Sequence, residues 1–135
     1  MQISENFTFE ELTRSSTALR RGISNLPDAP QTRNLNRLVA EILQPVRTAF
    51  GRPIRITSGF RSPSLNNAVG GVANSQHLTG EAADLVSDDN RALFALFCKL
   101  IAEKKIRVGQ LINEHNYSLI HVSLPSSRHI NQIIF

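Results

Sequence analysis

Ser75-Gln76-His77-Leu78-Thr79-Gly80-Glu81-Ala82-Ala83-Asp84-Leu85-Val86 passes from polar residues, through a glycine, into an apolar run that carries a single acid. Ala82 to Val86 reads as a strand in which Ala82, Asp84 and Val86 share a face, because side chains alternate along extended chain. A matching pattern follows in Leu119-Ile120-His121-Val122-Ser123-Leu124, where Leu119, His121 and Ser123 share one face and the aliphatic residues between them the other. Asp84 and His121 are therefore expected to face one cleft, with His77 delivered from the loop before Gly80. A residue without Cβ makes the sharp turn between loop and strand at least cost.

Asp84 lies between Ala-Ala and Leu-Val, where an ionised carboxylate is costly unless a cation or strong donors compensate it. A divalent metal compensates it. Zinc accepts imidazole nitrogen and carboxylate oxygen, and a His, Asp, His set leaves a fourth position for water, the mark of a catalytic rather than a structural site. Such a centre acidifies its water and polarises a carbonyl, so metal-assisted hydrolysis is the implied chemistry. Taken singly, His77 and Asp84 have commoner readings, as a surface histidine and a cap; the joint pattern with His121 overrides them.

Around this centre the chain supplies an α+β set of elements with a small antiparallel sheet packed against helices. Thr8-Phe9-Glu10-Glu11 has capping-box spacing and predicts a helix ending near Arg21-Gly22. Leu35, Leu38, Val39, Ile42, Leu43 and Val46 recur every three or four residues and predict the main helix over 32–50, kinked by Pro45. Ile54 to Thr57 reads as a strand, and Ser62-Pro63 as an N-cap and first helical residue. A helix over 90–104 and strands over 108–112 and 119–124 complete the set.

The 135 residues are 41% hydrophobic and 19% charged, ordinary globular usage that excludes a disordered or collagen-like chain. One domain over 1–135 is expected, and a monomer. The net charge is +4, and the whole excess lies in residues 1–67, but no run of Lys/Arg exceeds two. A nucleic-acid partner is not expected; the rival reading as a basic DNA-binding or assembly protein of a phage would require salt-sensitive DNA affinity. Cys98 is the single cysteine, so a disulfide within the chain is excluded. Membrane insertion is not expected, and the start Met1-Gln2-Ile3-Ser4 lacks a secretory pattern, which points to synthesis in the cytoplasm.

The segment from Ser75 to Asp84 resembles the Ser-x-His-x-x-Gly-x-Ala-x-Asp signature of the zinc D-Ala-D-Ala carboxypeptidases and related peptidoglycan peptidases, and every fixed position agrees. Ile56-Thr57-Ser58-Gly59-Phe60-Arg61-Ser62 is similar to the family's Thr-Ser-Gly-Tyr-Arg-Ser segment, with Phe60 in place of tyrosine. Ile120-His121-Val122-Ser123 is similar to its closing histidine strand, so the likeness runs from about Phe7 to Pro125. The resemblance implies a hedgehog/D-Ala-D-Ala-peptidase-like fold and Zn²⁺ held by His77, Asp84 and His121. It implies an Arg61 that holds the substrate and polarises its carbonyl, and a peptidoglycan stem peptide as substrate. Compact members without an export signal resemble phage or prophage lysis enzymes that reach the bacterial wall after release.

The general base is less determined. Many relatives carry an acid three positions before the closing histidine, and that position is Ser118 here. Glu114, on the face shared by Gln110 and Ile112, is the nearest carboxylate; His115 is the alternative proton carrier or oxyanion partner. The missing acid leaves a second reading open: a zinc-containing wall-binding module of the same fold without turnover. Glu81 reads as solvated, and His129 lies in a polar tail with no assigned role.

Overall fold

The computed structural model describes residues 1–135. Thr8 and Glu11 close the expected capping box, the Glu11 N–H donating to Thr8 Oγ1 at 3.1 Å and the Thr8 N–H to the Glu11 carboxylate at 3.1 Å. The helix it opens, α1 (Phe9–Thr13), is shorter than the spacing predicts. Arg14 turns extended and Ser15 recaps the chain, its hydroxyl accepting from the Ala18 N–H, so that α2 (Ser16–Arg21) is a separate helix ending at Gly22. Hydroxyl side chains in Thr-Arg-Ser-Ser-Thr offer the backbone local partners that compete with helix continuation.

The long rod is α3 (Ala29–Leu38), a π-helical turn (Val39–Leu43) and α4 (Gln44–Phe50). It starts three residues before the periodicity suggests, at an Asp28/Gln31 capping box. A π turn stands immediately before the expected kink site: Pro45 has no N–H to offer the preceding turn, and the Gln44 N–H bonds to the Val39 carbonyl five residues back. The inward stripe is as expected, with Leu35, Leu38, Val39, Ile42 and Val46 fully buried.

Strand β1 (Arg55–Ser58), helix α5 (Pro63–Ala68), a 3₁₀ turn (Gln76–Thr79), β2 (Ala82–Val86), α6 (Asn90–Ala102), β3 (Gln110–Glu114), β4 (Leu119–Ser123) and β5 (Gln132–Ile134) follow. The sheet order is β1-β2-β4-β3-β5, antiparallel except for β5, which runs parallel to β3. Strand β3 begins two residues later than expected, because Val108 and Gly109 are held instead by the Asn131 side chain and the Ser123 carbonyl. One sheet face, with Ala83, Leu85, Leu111, Ile120 and Val122, joins the helix side chains in a single cluster of 23 buried residues from Phe7 to Leu124. The opposite face carries Asp84, His121, Gln110, Ile112 and Glu114. No helix is long and apolar enough to cross a membrane.

Candidate metal centre

His77 is fixed before any ligand is considered. Ser75 caps the 3₁₀ turn that carries it, and Gly80 ends that turn at φ +79°. A Cβ on Gly80 would stand 2.5 Å from the Gln31 carbonyl oxygen, so the turn residue is also a point of close approach to α3. The His77 carbonyl accepts the Arg61 N–H at 3.0 Å, and its ring Nδ1 lies 2.7 Å from the Gly59 carbonyl oxygen. A carbonyl can only accept, so Nδ1 carries a hydrogen, and Nε2 is the nitrogen left to bind a metal once it is free of its own proton. Metal-bound histidines are oriented by such a bond on the far nitrogen. Nε2 looks inward, 3.4 Å from Asp84 Oδ1.

Asp84 and His121 are direct cross-strand partners in β2 and β4, which puts both side chains on one face. His121 Nδ1 lies 2.9 Å from Asp84 Oδ1, and the two imidazole rings meet edge to face with centroids 5.3 Å apart. Burial by itself pushes the Asp84 carboxyl pKa up, but hydrogen bonding to His121 and His77, with their charge, outweighs it and holds the group well below the usual carboxylate range. It is an anion in a nearly sealed site. One ligand atom from each of His77, Asp84 and His121 lies within 4.8 Å of the others. Two imidazole nitrogens and a carboxylate oxygen are a zinc donor set, and the Gly59 bond already selects the free His77 nitrogen, so the residues fit the ion.

Arg61 reaches the centre because β1 bulges. Ile56 pairs with Leu85 and Ser58 with Asp84, so Thr57 and Ser58 oppose one residue and Ser58 turns onto the metal face. Arg61 Nε donates to Ser58 Oγ at 3.1 Å, Nη1 to Asn66 Oδ1 at 3.3 Å, and Nη2 stands 3.6 Å from Asp84 Oδ2. Asn66, missed in the sequence, is 4% exposed and also donates to the Val72 carbonyl, so it holds the guanidinium from behind. Its only signal was a polar residue beside Leu65 on the inner side of α5. Phe60 is buried in the core.

Glu114 pairs with Leu119, two residues beyond the Ile112–His121 pair. Its side chain therefore shares the face of His121 on a diagonal of about 7–8 Å between backbones, within reach of a long side chain. Its carboxylate has no protein hydrogen-bond or ion-pair partner. His115 is not brought to the triad; it is exposed in the β3–β4 turn at φ +52°. Ser118 donates its hydroxyl to the His115 carbonyl at 2.7 Å and serves that turn.

The segment read as a tail has a place in the site. A cleft of about 370 Å³ opens beside His121, with Ser126, Ser127, Arg128 and His129 in its wall, and Glu81, expected to be solvated, also lines it. A smaller hollow lies on the β1 side, with Arg61, Ser58 and Arg14 among its lining.

Residues 5–123 match the family model described as Peptidase M15. This chain belongs to the peptidase M15 family. The family is one of peptidases, and the His77, Asp84 and His121 donor set fits a zinc ion. It is 42% identical over 82 residues to a protein of Streptomyces albus G named zinc D-Ala-D-Ala carboxypeptidase. The aligned stretch covers 59% of this chain and 31% of that relative, so the chain spans well under two thirds of the relative's length. In this peptidase M15 chain the family match ends at Ser123, the last residue of β4, and the cleft wall at 126–129 lies beyond it.

Proposed function

We propose that this peptidase M15 chain hydrolyses an amide bond in peptidoglycan stem peptides, as a D,D-carboxypeptidase or an endopeptidase, with Zn²⁺ held by His77, Asp84 and His121. The observation that carries the proposal is the convergence of those three side chains, one on a pinned 3₁₀ turn and two on paired strands. Bound there, zinc supplies Lewis acidity toward water and toward the substrate carbonyl. Glu114 takes the proton of the attacking water and passes it to the leaving amine, which needs a carboxylate free of other partners on this sheet face. Arg61 spends donors on Ser58, Asn66 and Asp84, and its remaining N–H groups orient the peptide or its developing oxyanion. The D-Ala-D-Ala specificity in the name of the Streptomyces albus G relative supports the stem-peptide substrate. Action at the bacterial wall, in lysis, is the setting we assign.

Ser118 favours a second reading. With its hydroxyl committed to the β3–β4 turn, the position that carries an acid in many relatives holds no proton acceptor. A zinc-loaded module that binds the wall without turnover fits that fact. Incubation of the purified protein with defined muropeptides, with and without chelator, and mass analysis of the products separates the two. Zinc-dependent cleavage supports the hydrolase; binding with full zinc occupancy and no product supports the module; neither leaves both wrong.

A further inference from the structure

Two hollows border the triad, the smaller lined by Ser58 and Arg61 on the β1 side, the larger by His121, by Gln110 at the start of β3, by the 3₁₀ turn before β2 and by Ser126–His129. The larger one opens directly beside the ligand His121. Its wall is polar: Val72 is the single hydrophobic residue in it, and Arg128 the single Lys or Arg. Arg128 enters none of the ion pairs of the chain, and its side chain has no hydrogen-bond partner in the protein. The one acid of the wall, Glu81, already accepts the Thr79 hydroxyl.

The turn that carries Arg128 is built, not loose. Ser126 and His129 bond to each other through the Ser126 N–H and the His129 carbonyl at 3.0 Å, and Ser126 Oγ accepts from the Arg128 and His129 N–H groups. Behind it, Asn131 exchanges hydrogen bonds with Val108, and Gln132 donates to Gly109 before β5 joins β3. On the other side, Leu124 is tied to the Glu81 carbonyl. The backbone that carries Arg128 is therefore held beside the cleft, with the exposed guanidinium side chain in its lining, on a segment that the family match does not include.

We propose that this cleft is the subsite that selects an anionic peptide, with Arg128 receiving an internal carboxylate of the substrate next to the metal centre. The inference rests on the peptidase reading and names its substrate more narrowly. A planar guanidinium matches a carboxylate with two parallel N–H donors, and a carboxamide cannot replace that pairing.

The test uses two fluorescently labelled stem-type peptides, one with the free α-carboxylate of its D-glutamyl residue and one with that group amidated. Anisotropy on zinc-loaded protein, read before turnover, gives Kd, and mass analysis of the same samples gives cleavage. The carboxylate form binds about tenfold tighter at low salt, equivalent to about 1.4 kcal/mol, and the ratio shrinks as salt screens an exposed pair. In Arg128→Gln the ratio falls to about one, and Arg128→Lys keeps part of it. Equal affinities in the wild type, a ratio that survives Arg128→Gln, or no binding of either peptide overturns the proposal. Preference without cleavage leaves the subsite standing and removes the hydrolase; cleavage without preference does the reverse.

Discussion

Gly59→Ala tests the support of the centre without touching a ligand. A Cβ at this position would lie 2.3 Å from the Leu12 carbonyl oxygen, 2.9 Å from its carbon and 3.1 Å from its Cα. All three are backbone atoms of α1, and Phe60 is bonded to the same carbonyl at 2.8 Å, so neither side can yield without breaking a hydrogen bond. Overpacking of this kind costs about 1–3 kcal/mol, which for a chain of this length lowers Tm by roughly 3–12 °C. The displaced unit is the one whose carbonyl holds His77 Nδ1 at 2.7 Å, so the ring loses the bond that fixes Nε2 toward Asp84. Loss of such a supporting bond weakens a metal by about 10–100-fold. Thermal unfolding of the zinc-free protein and a competitive zinc titration read the two effects separately. Gly51→Ala is the control: its φ is +70° and nothing lies within 4 Å of the added Cβ, so it pays in local backbone strain alone and leaves zinc affinity where it was. Wild-type zinc affinity in Gly59→Ala would refute the claim that the Gly59 carbonyl sets the ligand geometry.

Glu114→Gln lowers kcat by about 10²–10⁴-fold while zinc binding is retained, whereas His115→Ala changes steady-state rates little; the reverse pattern assigns the base to His115. Asn66→Ala leaves the Val72 carbonyl and an Arg61 N–H unpaired at a cost of about 1–3 kcal/mol, and by loosening Arg61 it lowers kcat/KM with unchanged zinc affinity in the same titration. Zinc at 100 times its Kd raises the unfolding free energy by about 2.7 kcal/mol and chelator reverses it; a Tm that ignores both would refute native-state zinc binding. Phe97→Ala, at a fully buried position of α6, costs about 3–5 kcal/mol in denaturant unfolding and removes no ligand.

The centre was legible because its geometry is local or strictly periodic. A strand turns every second side chain to one face, so Asp84 and His121 in two short strand patterns could be placed on a common cleft before their pairing was known, and the register puts them directly opposite. Ser75 and Gly80 bracket the 3₁₀ turn of His77 with residues whose local chemistry announces a cap and a reversal. The same locality failed at Thr13 to Ser16, where hydroxyls divide one expected helix into two, and it gave no sign of the π-type hydrogen-bond spacing just before Pro45.

The cleft wall was not legible, for a related reason. Gln132 to Ile134 is too short to declare itself as a strand, and it exists as one because β3 offers an edge and Val108 and Gly109 offer bonds to Asn131 and Gln132. Pairing between residues some twenty positions apart leaves no period in the sequence, so Ser126 to His129 looked like a tail. Yet that pairing returns the chain past His121, where it forms the cleft beside the metal face. The signature of the centre thus fixes where chemistry can occur, while the residues that decide which peptide arrives there stand on a turn closed by local bonds but placed beside His121 by long-range contacts. Substitution of Asn131, which bonds Val108 through both backbone and side chain, should accordingly loosen the wall and alter peptide selection while the three ligands keep their positions.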